Sequence, residues 1–173
     1  MAGLSGTSGM RRDVGHAALA LAGVAVASFA GQLATLRNRV PWYAGLAQPD
    51  FTPPDWVFAP VWTLLYLLMA LAAWRVLRTR TGSHGSALAR NRRRGLQLFF
   101  LLLLLNAAWP WLFFAAHAPL PALAELAVQL FAVLATLGAF WRVDAFSGLC
   151  LMPLLAWVAF AGLLNFEIWR LNA

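Results

Sequence analysis

Three short stretches hold most of the side chains able to do chemistry. In PDFTPPDWVFAPVWTLLY (49–66), Phe58, Trp62 and Tyr66 recur every four residues, which is one face of a helix. In LLLLLNAAWPWLFF (101–114), Asn106 shares a face with Trp109 and Phe113. In LAWVAFAGLLNFEIWRLN (155–172), Trp157, Ala161 and Leu164 form a stripe beside Asn165. Aromatic faces stack, and a buried indole N–H or phenol O–H seeks a partner. An amide among apolar residues is costly unless another helix or a ligand bonds to it. Two readings of these stripes stand: helix packing, or the walls of an aromatic pocket. A pocket lined in this way suits a large, flat, mostly apolar ligand with a few polar atoms.

Other chemistries have little support. Glu125 is a solitary carboxylate in an apolar run, and no nucleophile–base triad or paired intramembrane carboxylates are evident. His16, His84 and His117 are scattered over segment ends and loops, so an axial haem ligand is not expected. Cys150 is the single cysteine, which rules out an intrachain disulfide and a cysteine-based metal site. No metal site and no required cofactor are expected.

The elements that must position these residues follow from composition. The 173 residues are 62% hydrophobic and 11% charged, far from the roughly 25% charged of soluble domains. An all-α integral membrane protein with a bundle of five transmembrane helices is expected. Apolar segments run at about 14–36, 55–77, 95–116, 119–140 and 146–169, each near the ~20 residues that cross a bilayer. Residues 1–13 read as a flexible N-terminal tail ahead of one membrane domain, 14–173, with Met10 as an alternative start. The first segment resembles a signal peptide, but its apolar run to Leu36 exceeds the ~7–15 residues of such a core. A retained helix is expected.

The net charge is +7, and all thirteen basic residues are arginine. They flank the apolar segments, which favours membrane lipid as a partner over nucleic acid. With five spans, one side holds Arg11, Arg12, Arg75, Arg78, Arg80, Arg90, Arg92, Arg93, Arg94 and Arg142; the other holds Arg37, Arg39 and Arg170. The positive-inside rule then predicts a cytoplasmic N-terminus, an outer C-terminus and the bacterial inner membrane. Residues 78–94 become a cytoplasmic loop. The segment 37–54 lies on the opposite face and is long enough for a lid. Thr52, Pro53, Pro54 and Asp55 read as a helix start, with Thr52 as cap and Asp55 at capping-box spacing. Pro60 should bend that helix. Small residues on the first and fourth segments admit a homodimer or simple internal packing.

WYAGLAQPDFTPPDWVFAPVWTLLYLLMA, LNAAWPWLFF and LAWVAFAGLLNFEIWRLN strongly resemble the TspO/MBR family, the translocator and tryptophan-rich sensory proteins. The resemblance runs from about Arg37 to Asn172. It implies a five-helix bundle, often a homodimer, that binds a tetrapyrrole such as protoporphyrin IX as a sensor or transporter. Carried over, Tyr43 would help close the pocket and Trp62 would wall it. Asn106 and Trp109 would contact ligand, and Trp157, Ala161 and Leu164 would line it. In some bacterial relatives, tryptophans matching Trp62 and Trp157 are linked to light- and oxygen-dependent porphyrin breakdown. They are the catalytic candidates of an alternative, enzymatic reading; a regulatory membrane interaction protein is a third. Two departures matter. Phe166 stands where the family's sterol-recognition segment has tyrosine, which argues against sterol binding. Pro121 stands where animal members carry a ligand-facing tryptophan.

Overall fold

The computed structural model describes residues 4–38, 40, 42–82 and 86–173, with side chains from residue 9 onward. Arg39 and His84 therefore lie outside the described residues. Helices α1 (Leu4–Asn38), α2 (Asp55–Arg78), α3 (Ala87–Pro110), α4 (Pro119–Trp141), α5 (Ala145–Leu149) and α6 (Met152–Asn172) follow in order. A π-helical turn, Trp111–Ala115, prolongs α3. Five spans are long and apolar enough to cross a membrane, with α5 and α6 together making the fifth. Val26, Phe29, Leu104, Phe131 and Leu163 are exposed on the outside of the bundle. Water would not tolerate such a surface, whereas lipid does. The chain is an all-α integral membrane protein.

Helix contact comes from small residues and close packing rather than from a hydrophobic force, because lipid tails are as apolar as the core. Ala34, Ala72, Ala73 and Ala122 are almost wholly buried. A Cβ at Gly95 of α3 would lie 2.9 Å from the Phe140 ring of α4, so glycine is what lets these helices approach. Gly31 of α1 similarly faces Pro110, at 3.3 Å for a built Cβ. Close backbone packing runs α2–α1–α3–α4–α6, while α2 and α6 make almost none. Aromatic side chains line the gap between them.

Polar clasps hold the two ends. At the arginine-rich end, Arg75 donates to Asp144 through Nε (2.7 Å) and Nη2 (3.0 Å). Asp144 in turn accepts from the Ser147 N–H (3.0 Å) and hydroxyl (2.6 Å), capping α5. Arg92 donates to the Val76 (3.1 Å) and Leu77 (2.6 Å) carbonyls, satisfying the free end of α2. At the other end, Asn172 of α6 and Ala47 of the long loop bond reciprocally: each amide N–H donates to the other's oxygen at 2.9 Å.

Several boundaries differ from expectation. Residues 4–13 continue α1 instead of forming a flexible tail; no proline interrupts them, and adding turns to an existing helix is cheap. The Asp13 carbonyl accepts from Trp74 Nε1 at 3.3 Å. The loop 78–94 is shorter than expected, because α3 starts at Ala87 with Ser86 as cap, its Oγ accepting from Ala89 N–H at 3.1 Å. Arginine bars those turns from lipid, not from helix. Thr52 does not cap α2. The following prolines hold the chain extended, Pro54 takes the cap position, and the Thr52 hydroxyl donates back to the Pro49 carbonyl at 2.7 Å. The fifth span is broken at Cys150 and Leu151, with Pro153 in the first turn of α6.

Candidate functional site

The aromatic stripes converge. A cavity of about 590 Å³ lies inside the bundle, and Tyr43, Phe58, Trp62, Tyr66, Asn106, Trp109, Phe113, Trp157, Ala161 and Leu164 all line it. Its size falls within the ~300–1,000 Å³ of small-molecule sites. The space exists because α2 stands off from α6 at this level, while the Arg75–Asp144 clasp draws α2 toward the α4–α5 corner at the far end.

On the α2 wall, the Trp62 and Tyr66 rings lie 5.4 Å apart and tilted by 31°. Phe58 meets Trp157 edge-on at 5.8 Å, and Trp157 leans on Phe160 at 5.6 Å. Trp62 and Trp157 therefore belong to facing walls and have no ring contact with each other. Neither indole N–H donates a hydrogen bond among the described residues. Trp109 differs: its Nε1 donates to Asn165 Oδ1 at 3.1 Å, and Asn165 Nδ2 donates to the Pro119 carbonyl at 2.7 Å. Trp109 stacks on Phe113 at 5.0 Å. Its polar edge is committed to joining α3, α4 and α6, so it offers the cavity its ring alone.

The long loop closes one end. Its turn Tyr43–Gly45 buries Tyr43 beside Phe113, Leu164 and Ile168. Tyr43 meets Phe113 and Phe114 edge-on at 6.0 and 5.5 Å. Trp42 stacks on His117 at 4.4 Å, and Phe51 packs against Phe160 at 6.3 Å. Pro110 has no N–H to give, and the chain beyond it widens into the π turn, closed by Ala116 N–H on the Trp111 carbonyl at 2.8 Å. That local widening sets Phe113 and Phe114 against the lid.

Among the described residues, buried polar groups are unevenly satisfied by one another. Asn106 is 3% exposed; its Nδ2 donates to the Leu102 carbonyl at 2.9 Å, while Oδ1 has no partner. Gln129 of α4 also lines the cavity, is 1% exposed and leaves Oε1 unpartnered. An unmet buried acceptor costs about 1–3 kcal/mol. Both carboxylate oxygens of Glu125 are buried without a partner as well, but Glu125 is not a lining residue.

Reading the aromatic stripes missed Gln129 and the α1 wall. Val24, Ser28, Gly31 and Thr35 also line the cavity. Their spacing of four, three and four residues is itself a helical stripe, hidden because its members are small. Gln129 had one available signal, an amide inside an otherwise apolar helix. The cavity reaches the outside between α1 and α2, where Gln32, Thr63 and Leu67 line it and are exposed.

Comparison with known proteins agrees with this architecture. Residues 18–170 match the TspO/MBR family. The chain is 35% identical to the tryptophan-rich protein TspO of Chlorobaculum tepidum over 164 residues, covering 94% of this chain and 99% of the relative. It is 40% identical to a tryptophan-rich sensory protein of Cereibacter sphaeroides, over 76% of this chain and 77% of that one. The human translocator protein is 38% identical, over 76% and 75% of the respective chains. Five apolar spans around a tryptophan-lined cavity, matched along nearly the whole chain, make this protein a member of the TspO/MBR family.

Proposed function

We propose that the chain is a membrane sensor or translocator that holds a tetrapyrrole such as protoporphyrin IX in the aromatic cavity. The observation that carries this reading is the pair Trp62 and Trp157. They stand on facing walls of one cavity, and neither indole N–H donates a hydrogen bond among the described residues. A flat macrocycle between them gains stacking on both faces. The relatives named as sensory and translocator proteins support the role. No metal ligation is needed; binding rests on apolar burial and a few dipoles.

The test is tryptophan-fluorescence titration of the purified protein with protoporphyrin IX in the dark. Saturable quenching is expected, weakened at least about tenfold in Trp157→Phe, the loss of roughly 1.4 kcal/mol of stacking and N–H contact. No saturable quenching, or identical curves, would overturn it.

A second reading draws on the same two rings. Indoles adjoining a bound porphyrin can donate an electron to its light-excited state, with dioxygen as oxidant. Photobleaching of bound porphyrin should then slow in the Trp62→Phe, Trp157→Phe double variant; an unchanged rate would leave the sensor or translocator reading alone.

A further inference from the structure

Among the described residues, five polar ones are buried in the bundle: Asn106, Gln129, Thr136, Ser147 and Asn165. Four have hydrogen bonds. Thr136 donates to the Ala132 carbonyl at 2.7 Å, Ser147 binds Asp144, Asn165 is satisfied at both ends, and Asn106 is satisfied at Nδ2. Gln129 differs from the other four: no side-chain hydrogen bond joins it to another described residue, and its Oε1 is buried without a partner among them. An amide that is buried and unbonded within the protein, yet lines a cavity, is placed to bond something inside it.

Asn106 and Gln129 are at one depth. Helices α3 and α4 run antiparallel, and Gly95 sits against Phe140. Eleven residues onward from Gly95 is Asn106; eleven residues back from Phe140 is Gln129. Equal counts give equal rise, so the two amides lie at one level on neighbouring helices, and both line the cavity. The Asn106 orientation is fixed, because Nδ2 already donates to Leu102 and Oδ1 must accept. Gln129 supplies the complement, with an Nε2 that donates. Together they form an acceptor beside a donor.

We infer that Asn106 and Gln129 form a polar shelf that receives a neutral carboxylic acid group at the edge of the ligand, and that Gln129 is the residue setting this specificity. The acid O–H donates to Asn106 Oδ1, and its carbonyl accepts from Gln129 Nε2. Both bonds form without placing a charge in the membrane interior. Trp62 and Trp157 then hold the faces of the ring while the α3–α4 wall reads its acidic edge. This inference rests on the tetrapyrrole reading above.

The experiment compares protoporphyrin IX with its dimethyl ester, which has the same ring but no acid O–H. Both are titrated into wild type and Gln129→Leu under identical conditions. Wild type should prefer the acid by about tenfold, the worth of one or two buried hydrogen bonds. In Gln129→Leu that preference should fall to within about twofold, chiefly through weaker acid binding. The variant replaces an unbonded amide with a similar apolar side chain, so the ligand-free protein should keep its melting temperature. Asn106→Leu should also narrow the gap. Equal affinity of wild type for acid and ester overturns the shelf and leaves the tetrapyrrole reading intact. So does a Gln129→Leu variant that weakens both compounds alike. Saturable binding of neither compound overturns both readings.

Discussion

Asp144 does two jobs with one carboxylate. It closes the ion pair with Arg75 and caps α5 through Ser147. The Arg75 hydrogen bond, followed by the Ser147 bonds, holds its carboxyl far below the usual aspartate range against some opposition from burial. A depressed folded-state pKa stabilises at pH values above the unfolded pKa, about 3.9, and that gain disappears as pH falls toward the folded value. Asp144→Asn should therefore lower stability near neutrality by about 1 kcal/mol, a modest figure because Arg75 is partly exposed. Thermal melts from pH 7 down to pH 3 should show the gap between wild type and variant constant at first, then closing below about pH 4. A gap that widens on acidification would mean that the pair is not what ties α2 to this corner.

Helices meet here through glycines at two unequal sites, and the difference is testable. A Cβ at Gly95 would press on the Phe140 ring at 2.9 Å, which can turn slightly although Phe99 stacks on it. A Cβ at Gly148 would lie 2.6 Å from the Trp141 ring and 3.1 Å from its Cα. Backbone cannot turn aside. Gly148→Ala should cost more than Gly95→Ala, with both in or above the ~1–3 kcal/mol range of overpacked cores; melting temperatures in one detergent decide the order. The lid makes a second element-level prediction. Asn172→Ala removes both hydrogen bonds to Ala47 and frees the loop over the cavity. Stopped-flow quenching should show association and dissociation of protoporphyrin IX faster by several-fold, with little change in affinity, because the latch lies outside the ring-binding walls. Element existence was legible in the sequence because hydrophobic runs near span length have few alternatives in lipid. The α2 start at Asp55 was legible too, since two prolines confine it. The α3 start was not, because the arginines that mark the end of the apolar run say nothing against helix. Nine of the ten candidate residues could be grouped by three- and four-residue spacing on the helices, while Tyr43, in the loop, came only with the family resemblance. Gln129 and the α1 wall escaped that logic because small side chains and a lone amide carry no aromatic period. The Gln129–Asn106 level depends on the α3–α4 register, which no local pattern reports.

At the scale of the molecule, charge is sorted between two ends that the contacts define. Asp13 and Arg78 (3.7 Å), Arg92 with the end of α2, and Arg75 with Asp144 gather the start of α1, the end of α2, the start of α3 and the α4–α5 corner. The lid, the start of α4 and the end of α6 meet at the opposite end through Asn172–Ala47 and Asn165–Pro119. Arg80, Arg90, Arg93, Arg94 and Arg142 are exposed near the first end, and the second has Arg37 and Arg170. Moving arginine-rich segments across a bilayer is unfavourable, so the first end should remain in the cytoplasm. Cys150 is the single native thiol and is buried, which makes the orientation directly readable. In a Cys150→Ser background, Asp50→Cys on the exposed lid should react with a membrane-impermeant maleimide added to spheroplasts. Ala87→Cys at the start of α3 should react only after the membrane is opened. The reverse pattern would place the lid in the cytoplasm, so that a ligand reaching the loop end of the cavity would come from inside the cell. The expected pattern instead has the lid facing outward and the arginines against the inner leaflet, leaving the exposed gap between α1 and α2 facing lipid.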